Sequence, residues 1–298
     1  MTDARILDRG YRRYEGPRLG PMSALRSITI HTLRRILGLR RPARAKVLPV
    51  IVILIAYLPA IVIVGIASFA KFAVNELPSY AGYFGTVFTS VLLFVTFVAP
   101  EALCPDRRTK LIGQYLAGPV SRAGYLAAKV VAVMSVLLLV TLGPQLLMLV
   151  ALALEGAGPD GINGFMSTLG RIVASGVAVS AMLTVLALAV SSFTDRKAFA
   201  SVGFIVFMTI TSIAAGIAYE DGEGRPWAAL LSLTALPVEL AFRIFGVPAH
   251  CTTSFRDSEC DELLFPDVST AAVVGAVVVW TALAAVVLWW RYRKVEVA

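Results

Sequence analysis

Residue types able to do chemistry are sparse in this chain, and their spacing excludes more than it admits. Only two histidines occur, His31 and His250, with no His-Glu-x-x-His run to hold a zinc ion. No Gly-x-x-x-x-Gly-Lys-Ser/Thr run is present to cradle ATP phosphates, and no Gly-x-Ser-x-Gly turn to present a nucleophile. Ser135, Ser175, Ser180 and Ser212 fall inside apolar runs and read as interhelical hydrogen bonders. Glu239 and Arg243 stand four apart, a spacing that pairs them along one helical face as a structural salt bridge. No catalytic residue, metal site or cofactor is expected on this chain, and it is not expected to be an enzyme.

The densest cluster of interpretable residues is the basic island 104–129, CPDRRTKLIGQYLAGPVSRAGYLAAK. Pro105-Asp106 reads as a helix start, with Asp106 capping free amides. Leu111, Ile112, Tyr115 and Leu116 then form an apolar stripe at helical spacing, with Arg107, Arg108, Lys110 and Gln114 off it, and Gly118-Pro119 ends the helix. The spacing predicts an amphipathic helix over 106–120, too polar for lipid and suited to being pressed upon by a soluble partner. Cys104, at the edge of the island, reads as a small buried hydrophobe.

The elements that must hold this island are membrane spans. The chain has 298 residues, 58% of them hydrophobic and 15% charged, more apolar surface than a soluble domain can hide. Runs near the ~20 residues needed to cross a bilayer lie at about 47–69, 80–103, 126–154, 165–193, 198–219 and 268–290. Pro59 is expected to kink the first, Pro100 to bend the second, and Gly143-Pro144 to break the third. The first run is too long, and follows too long a basic arm, for a cleavable signal peptide. Residues 21–41 place Met22, Leu25, Leu33, Ile36 and Leu37 on one helical face and Ser23, Ser27, His31, Arg34, Arg35 and Arg41 on the other, a helix for the membrane interface, with Gly38 and Pro42 as stop signals. The basic arm 1–46 faces anionic headgroups rather than nucleic acid, since a span follows it directly.

The outer region 220–267 contains a further apolar stretch, but Pro237 divides it into halves too short to cross. Charge selects six spans over seven. With both termini cytoplasmic, only Lys71, Arg171, Arg225, Arg243 and Arg256 of the 27 Lys and Arg lie outside. The fold expected is an all-α polytopic membrane protein: a cytoplasmic arm 1–46, a six-span domain 47–290 with an outer re-entrant helix pair before the last span, and a cytoplasmic tail 291–298. Cys251 and Cys260 then face an oxidising space, where a disulfide between them is expected and two free thiols are the alternative.

The run LIGQYLAGPVSRAGYLAAK resembles the cytoplasmic signature of permease subunits of type-2 ATP-binding-cassette (ABC) exporters, in which a Leu-rich helix is followed by Pro-Val/Ile-Ser-Arg and, some seven residues later, by Lys. Leu116, Ala117, Pro119, Val120, Ser121, Arg122 and Lys129 are the matching residues. The order of amphipathic helix, six spans and re-entrant pair is similar as well, while many relatives carry Gly-Thr where this chain has Lys110-Leu111. The resemblance implies a coupling helix seated on a separate ATPase subunit, which would bring ATP and Mg. It also implies assembly with a second copy or a paralogous permease in the bilayer. Asp106, Arg107, Arg108, Leu111, Tyr115, Leu116, Pro119, Val120, Arg122 and Lys129 would then form the ATPase-coupling set, the arginines meeting acidic groups and Leu111, Tyr115 and Leu116 giving apolar contact.

Charges deep in the spans are nearly absent, which argues for an external energy source over a proton relay. Thr89, Thr96, Gln145, Thr184 and Thr209 are the expected pathway lining, suited to a lipophilic or amphipathic substrate. A secondary transporter or channel is the alternative, followed by a non-transporting membrane scaffold or an intramembrane enzyme. The Arg-, Ala- and Val-rich composition fits the cell membrane of a bacterium with a GC-rich genome.

Overall fold

The computed structural model describes residues 16, 20–39, 44–69, 78–118, 120–220, 226–249 and 262–293. These residues form only helices and their connections: α1 (Pro21–Ile36), α2 (Arg44–Phe69), α3 (Tyr80–Arg108), α4 (Leu111–Leu116), α5 (Arg122–Leu154), α6 (Gly161–Ser191), α7 (Lys197–Glu220), a 3-10 segment (Pro226–Leu231), α8 (Ala235–Phe245) and α9 (Thr270–Arg293). Among the described residues six helices, α2, α3, α5, α6, α7 and α9, are long and apolar enough to cross a membrane. The chain therefore has the make-up of a polytopic membrane protein.

The six run alternately up and down. The end of α3, the start of α5, the end of α6, the start of α7 and the end of α9 meet at one end of the bundle, joined there by α1 and α4. This end is rich in Lys and Arg and is called the basic end below. The starts of α6 and α9 meet α8 at the opposite end. Burial divides the bundle. In their most apolar stretches α3 and α6 are 72% and 67% buried, whereas α2, α7 and α9 reach only 28%, 28% and 22%. The first two form the centre; the other three turn apolar faces outward.

The prolines lie inside continuous helices. Each of α2, α3 and α5 continues through its prolines, so Gly143-Pro144 does not break the third span. A proline removes one backbone donor, and in two of these turns a tyrosine hydroxyl donates to a nearby carbonyl. Tyr83 donates to Ala56 O at 2.6 Å, three residues before Pro59, and Tyr57 to Leu139 O at 2.9 Å, five residues before Pro144; each carbonyl is a neighbour of the one its proline frees, that of Ile55 or Val140. Gly143 lets Tyr57 in, because a Cβ there would meet its hydroxyl at 1.8 Å. Gly176 does the same for Leu142, where a Cβ would sit 2.0 Å from Cδ2, and so sets the close contact of α5 with α6. Of the serines read as interhelical, Ser180 bonds Thr141 across that contact and Ser212 bonds Thr234, whereas Ser135 and Ser175 donate to their own helices.

α1 ends as its sequence predicts. Gly38 has φ 66°, and the amides of Gly38 and Leu39 return to Arg35 O and Arg34 O. Four of the five residues expected on its apolar face, Leu25, Leu33, Ile36 and Leu37, pack on the core, joined by Ile28 and Thr32, while Met22 is 76% exposed. α1 lies against α5 and α3, and Thr32 and Arg35, the latter read as a polar-face residue, point into the protein.

Candidate functional site

The island divides differently from its predicted helix over 106–120. Pro105 and Asp106 do not start a helix; they lie in the last turn of α3, which runs on to Arg108. Pro105 is accommodated there, its carbonyl accepting from the Thr109 amide (3.0 Å) and hydroxyl (2.7 Å). The chain then turns at Lys110, which has φ 54° and is the one non-glycine residue with positive φ among those described. Only after this corner does the six-residue α4 begin, and Ser121 caps α5 by accepting from the Gly124 amide at 3.1 Å. The serine of the Pro-Val-Ser-Arg run thus has a local task.

Asp106 is fully buried and is no cap. A carboxylate in the last turn opposes the helix dipole, and two cations from other helices offset it. Arg35 of α1 pairs with Oδ1, and Lys129 of α5 lies 2.6 Å from Oδ2. The Tyr125 hydroxyl donates to Oδ2 at 2.9 Å, and Lys129 Nζ donates to Thr32 Oγ1 at 3.0 Å. The Lys129 ammonium also stands 5.3 Å from the centre of the Tyr125 ring. That ring lies 5.7 Å from Tyr115 of α4 and 6.0 Å from Tyr292 of α9, so aromatic contact runs from α4 through α5 to α9. His31 lies beside the cluster, and its pKa is held below the usual histidine value by burial and by the Arg35 and Lys129 charges. Burial also pushes the Tyr115 hydroxyl up.

The ten residues expected to face a partner do not form one surface. Asp106 and Lys129 are at most 1% exposed and belong to the internal cluster, and Val120 is buried. Arg107 donates to Ser192 O, tying α3 to the turn between α6 and α7, and Arg122 donates to Arg293 O at 2.5 Å, tying α5 to the end of α9. These two guanidinium groups serve carbonyls of their own chain. Leu111, Tyr115 and Leu116 are half-buried and Arg108 is exposed, as are Lys110, Gln114 and Ala117. Pro119 lies outside the described residues, as do Cys251 and Cys260. Arg35, Thr32 and Tyr125 belong to the cluster and are absent from the predicted set; the place of Arg35 on the polar face of an amphipathic helix read as solvation.

The five expected pathway residues do not converge either. Thr89 and Thr209 are exposed on lateral faces. Thr96, Gln145 and Thr184 are buried in the core, where Thr96 bonds Leu92 O. The Gln145 amide and the Thr184 hydroxyl find no hydrogen-bond partner among the described residues. Threonine types alone do not report which stripe of a span turns inward. Cys104 is buried, its thiol near Thr194 O at 3.6 Å. No group of residues that could hold a metal ion occurs among those described.

No family model matches the chain, and no curated protein matches its sequence.

Proposed function

We propose that this chain is the transmembrane permease subunit of an ATP-binding-cassette exporter, working with a separate ATPase chain that binds ATP and Mg and performs hydrolysis. The observation that carries this reading is α4 and its attachments. α4 is a short helix set off by the Lys110 corner, with Gln114 and Ala117 exposed and its Tyr115 ring against Tyr125. Behind it, the Asp106 cluster ties α3, α5 and α1 into one unit. A force applied to α4 would therefore reach three helices together, which is what a coupling helix requires.

On this reading the basic end is cytoplasmic, in keeping with the positive-inside rule, in the cell membrane of a bacterium. α1 lies in the membrane interface, docked rather than floating. The 3-10 segment and α8 form the outer re-entrant pair. Supporting this, Leu230 O accepts from the Trp280 indole at 3.1 Å, ten residues into α9, so the segment dips between spans while its hydroxyls Ser232 and Thr234 bond Ser212. Two such subunits would enclose the substrate pathway, with Thr89 and Thr209 on faces left open by a single copy.

Co-purification of the full chain with its ATPase from native membranes tests the proposal. A Walker-motif protein is expected to accompany it. Arg108→Glu with Gln114→Glu, both at exposed positions, should weaken that association about tenfold or more with an unchanged melting temperature. Preparations that repeatedly lack any such ATPase would overturn it. A secondary transporter or channel is the second reading, favoured by the unpartnered amide of Gln145 inside α5; it predicts flux coupled to an ion gradient with no ATPase bound.

A further inference from the structure

An open groove of about 510 Å³ lies between the last turns of α6, the first half of α7 and the second half of α9. That volume falls within the range of ligand pockets, roughly 300–1,000 Å³. Phe193, Phe199, Gly203, Phe207, Trp280 and Ala284 line it, and the walls are almost wholly apolar. Trp280 turns its one polar atom away, to Leu230 O. From Trp280 to Val287 the groove wall covers about 10 Å of α9 at 1.5 Å per residue, two-thirds of the ~15 Å of one leaflet's hydrocarbon, and Arg291 stands one turn beyond it toward the basic end.

Two cations mark its mouth at the basic end. The Arg196 guanidinium stands 5.7 Å from the centre of the Phe199 ring, and that of Arg291 stands 5.5 Å from Phe193. Both rings line the groove. Neither arginine pairs with a carboxylate among the described residues, and Arg291 Nε is buried without a hydrogen-bond partner. Lys197, next in sequence, is already paired with Glu101.

We propose that this groove holds an acyl chain of an anionic phospholipid, with the lipid phosphate bound between Arg196 and Arg291. The apolar walls replace bilayer contacts for the chain, and the phosphate supplies the counter-charge for two guanidinium groups that no described carboxylate faces. The site does not depend on the ATPase reading, since every residue in it belongs to this chain.

Trp280 makes the site observable. The full chain is reconstituted in phosphatidylcholine nanodiscs carrying a small fraction of brominated lipid, either phosphatidylglycerol or phosphatidylcholine. The difference between the wild type and Trp280→Phe isolates that indole from the other three tryptophans. Brominated phosphatidylglycerol should quench Trp280 at a concentration lower by about fivefold for each arginine involved. Arg196→Gln with Arg291→Gln should abolish the headgroup preference, and Gly203→Leu should reduce quenching by both lipids. Equal quenching by the two headgroups, or a preference that survives the double arginine variant, would overturn the site. So would unquenched Trp280 with either lipid, which would mean that protein covers the groove. Native mass spectrometry of the wild type gives a reading that needs no variant: retained phosphatidylglycerol supports the site, and indifferent retention of both lipids refutes it.

Discussion

Both ends of this bundle bury a carboxylate completely, Asp106 at the basic end and Glu239 at the other. The two are satisfied in opposite ways. Glu239 takes its cation from its own helix: Arg243 Nε donates to Oε1 at 2.6 Å, one turn on. Its Oε2 accepts from the Leu264 amide at 2.8 Å, while Arg243 reaches Thr270 Oγ1 at 2.9 Å and Phe265 O at 2.8 Å. The pair pins α8 to the chain entering α9. Asp106 has no partner on α3; its partners come from α1, 71 residues away, and from α5, where Tyr125 is 19 residues on. A local pair secures a segment, whereas a pair assembled from three helices secures the bundle, and only the second kind links motions of separate helices.

The contrast can be broken most directly at Asp106. Asp106→Asn should cost about 3–5 kcal/mol, because it leaves Lys129 and Arg35 buried without a counter-charge. A large drop in melting temperature, followed by size-exclusion chromatography of heated samples, is expected, with partial recovery when Lys129→Met removes one of the stranded cations. Glu239→Gln should cost less, about 1.5–3 kcal/mol, since Gln can still accept from the Leu264 amide and Arg243 keeps its bonds to Thr270 and Phe265. If the two variants prove equally unstable in the same assay, the distinction between a local and a bundle-wide pair fails.

The smallest effect is one of pH. The folded state holds the His31 pKa below its unfolded value near 6.5. The unfolded chain therefore binds more protons as the medium turns acid. The stabilisation is complete above the unfolded pKa and is lost as pH falls through that value toward the folded one. Melting temperature should decline modestly from about pH 7 to about pH 5, and His31→Gln should flatten that part of the slope. A slope unchanged by His31→Gln would separate His31 from the cluster.

The same contrast explains what the sequence made legible. The Glu239–Arg243 pair follows from a spacing of four, and six long apolar runs predict six long apolar helices; both are properties of one stretch of chain. The Asp106 cluster follows from three helices meeting, and no local pattern encodes that. Pro-Asp before a polar run has the composition of a helix start, so Asp106 read as a cap until α3 proved to continue past it. Arg35 was misplaced for the same reason: a wheel diagram sorts residues by polarity, and a cation that crosses to a buried carboxylate lands on the solvent side of the wheel. The pathway threonines are scattered between lateral faces and core, and Thr96 bonds a carbonyl of its own helix, because hydroxyls in spans are as much at home there as in a cavity.

The corner at Lys110 carries one more consequence. A left-handed backbone costs an L-residue roughly 1 kcal/mol that glycine does not incur, and the side chain at this corner is exposed. With lysine in place, the chain trades a little local stability for a positive charge at the apex of the bend between α3 and α4. The bend therefore does two things at once: its geometry sets a short helix at an angle to a long one, and its side chain puts a positive charge at the exposed apex between them.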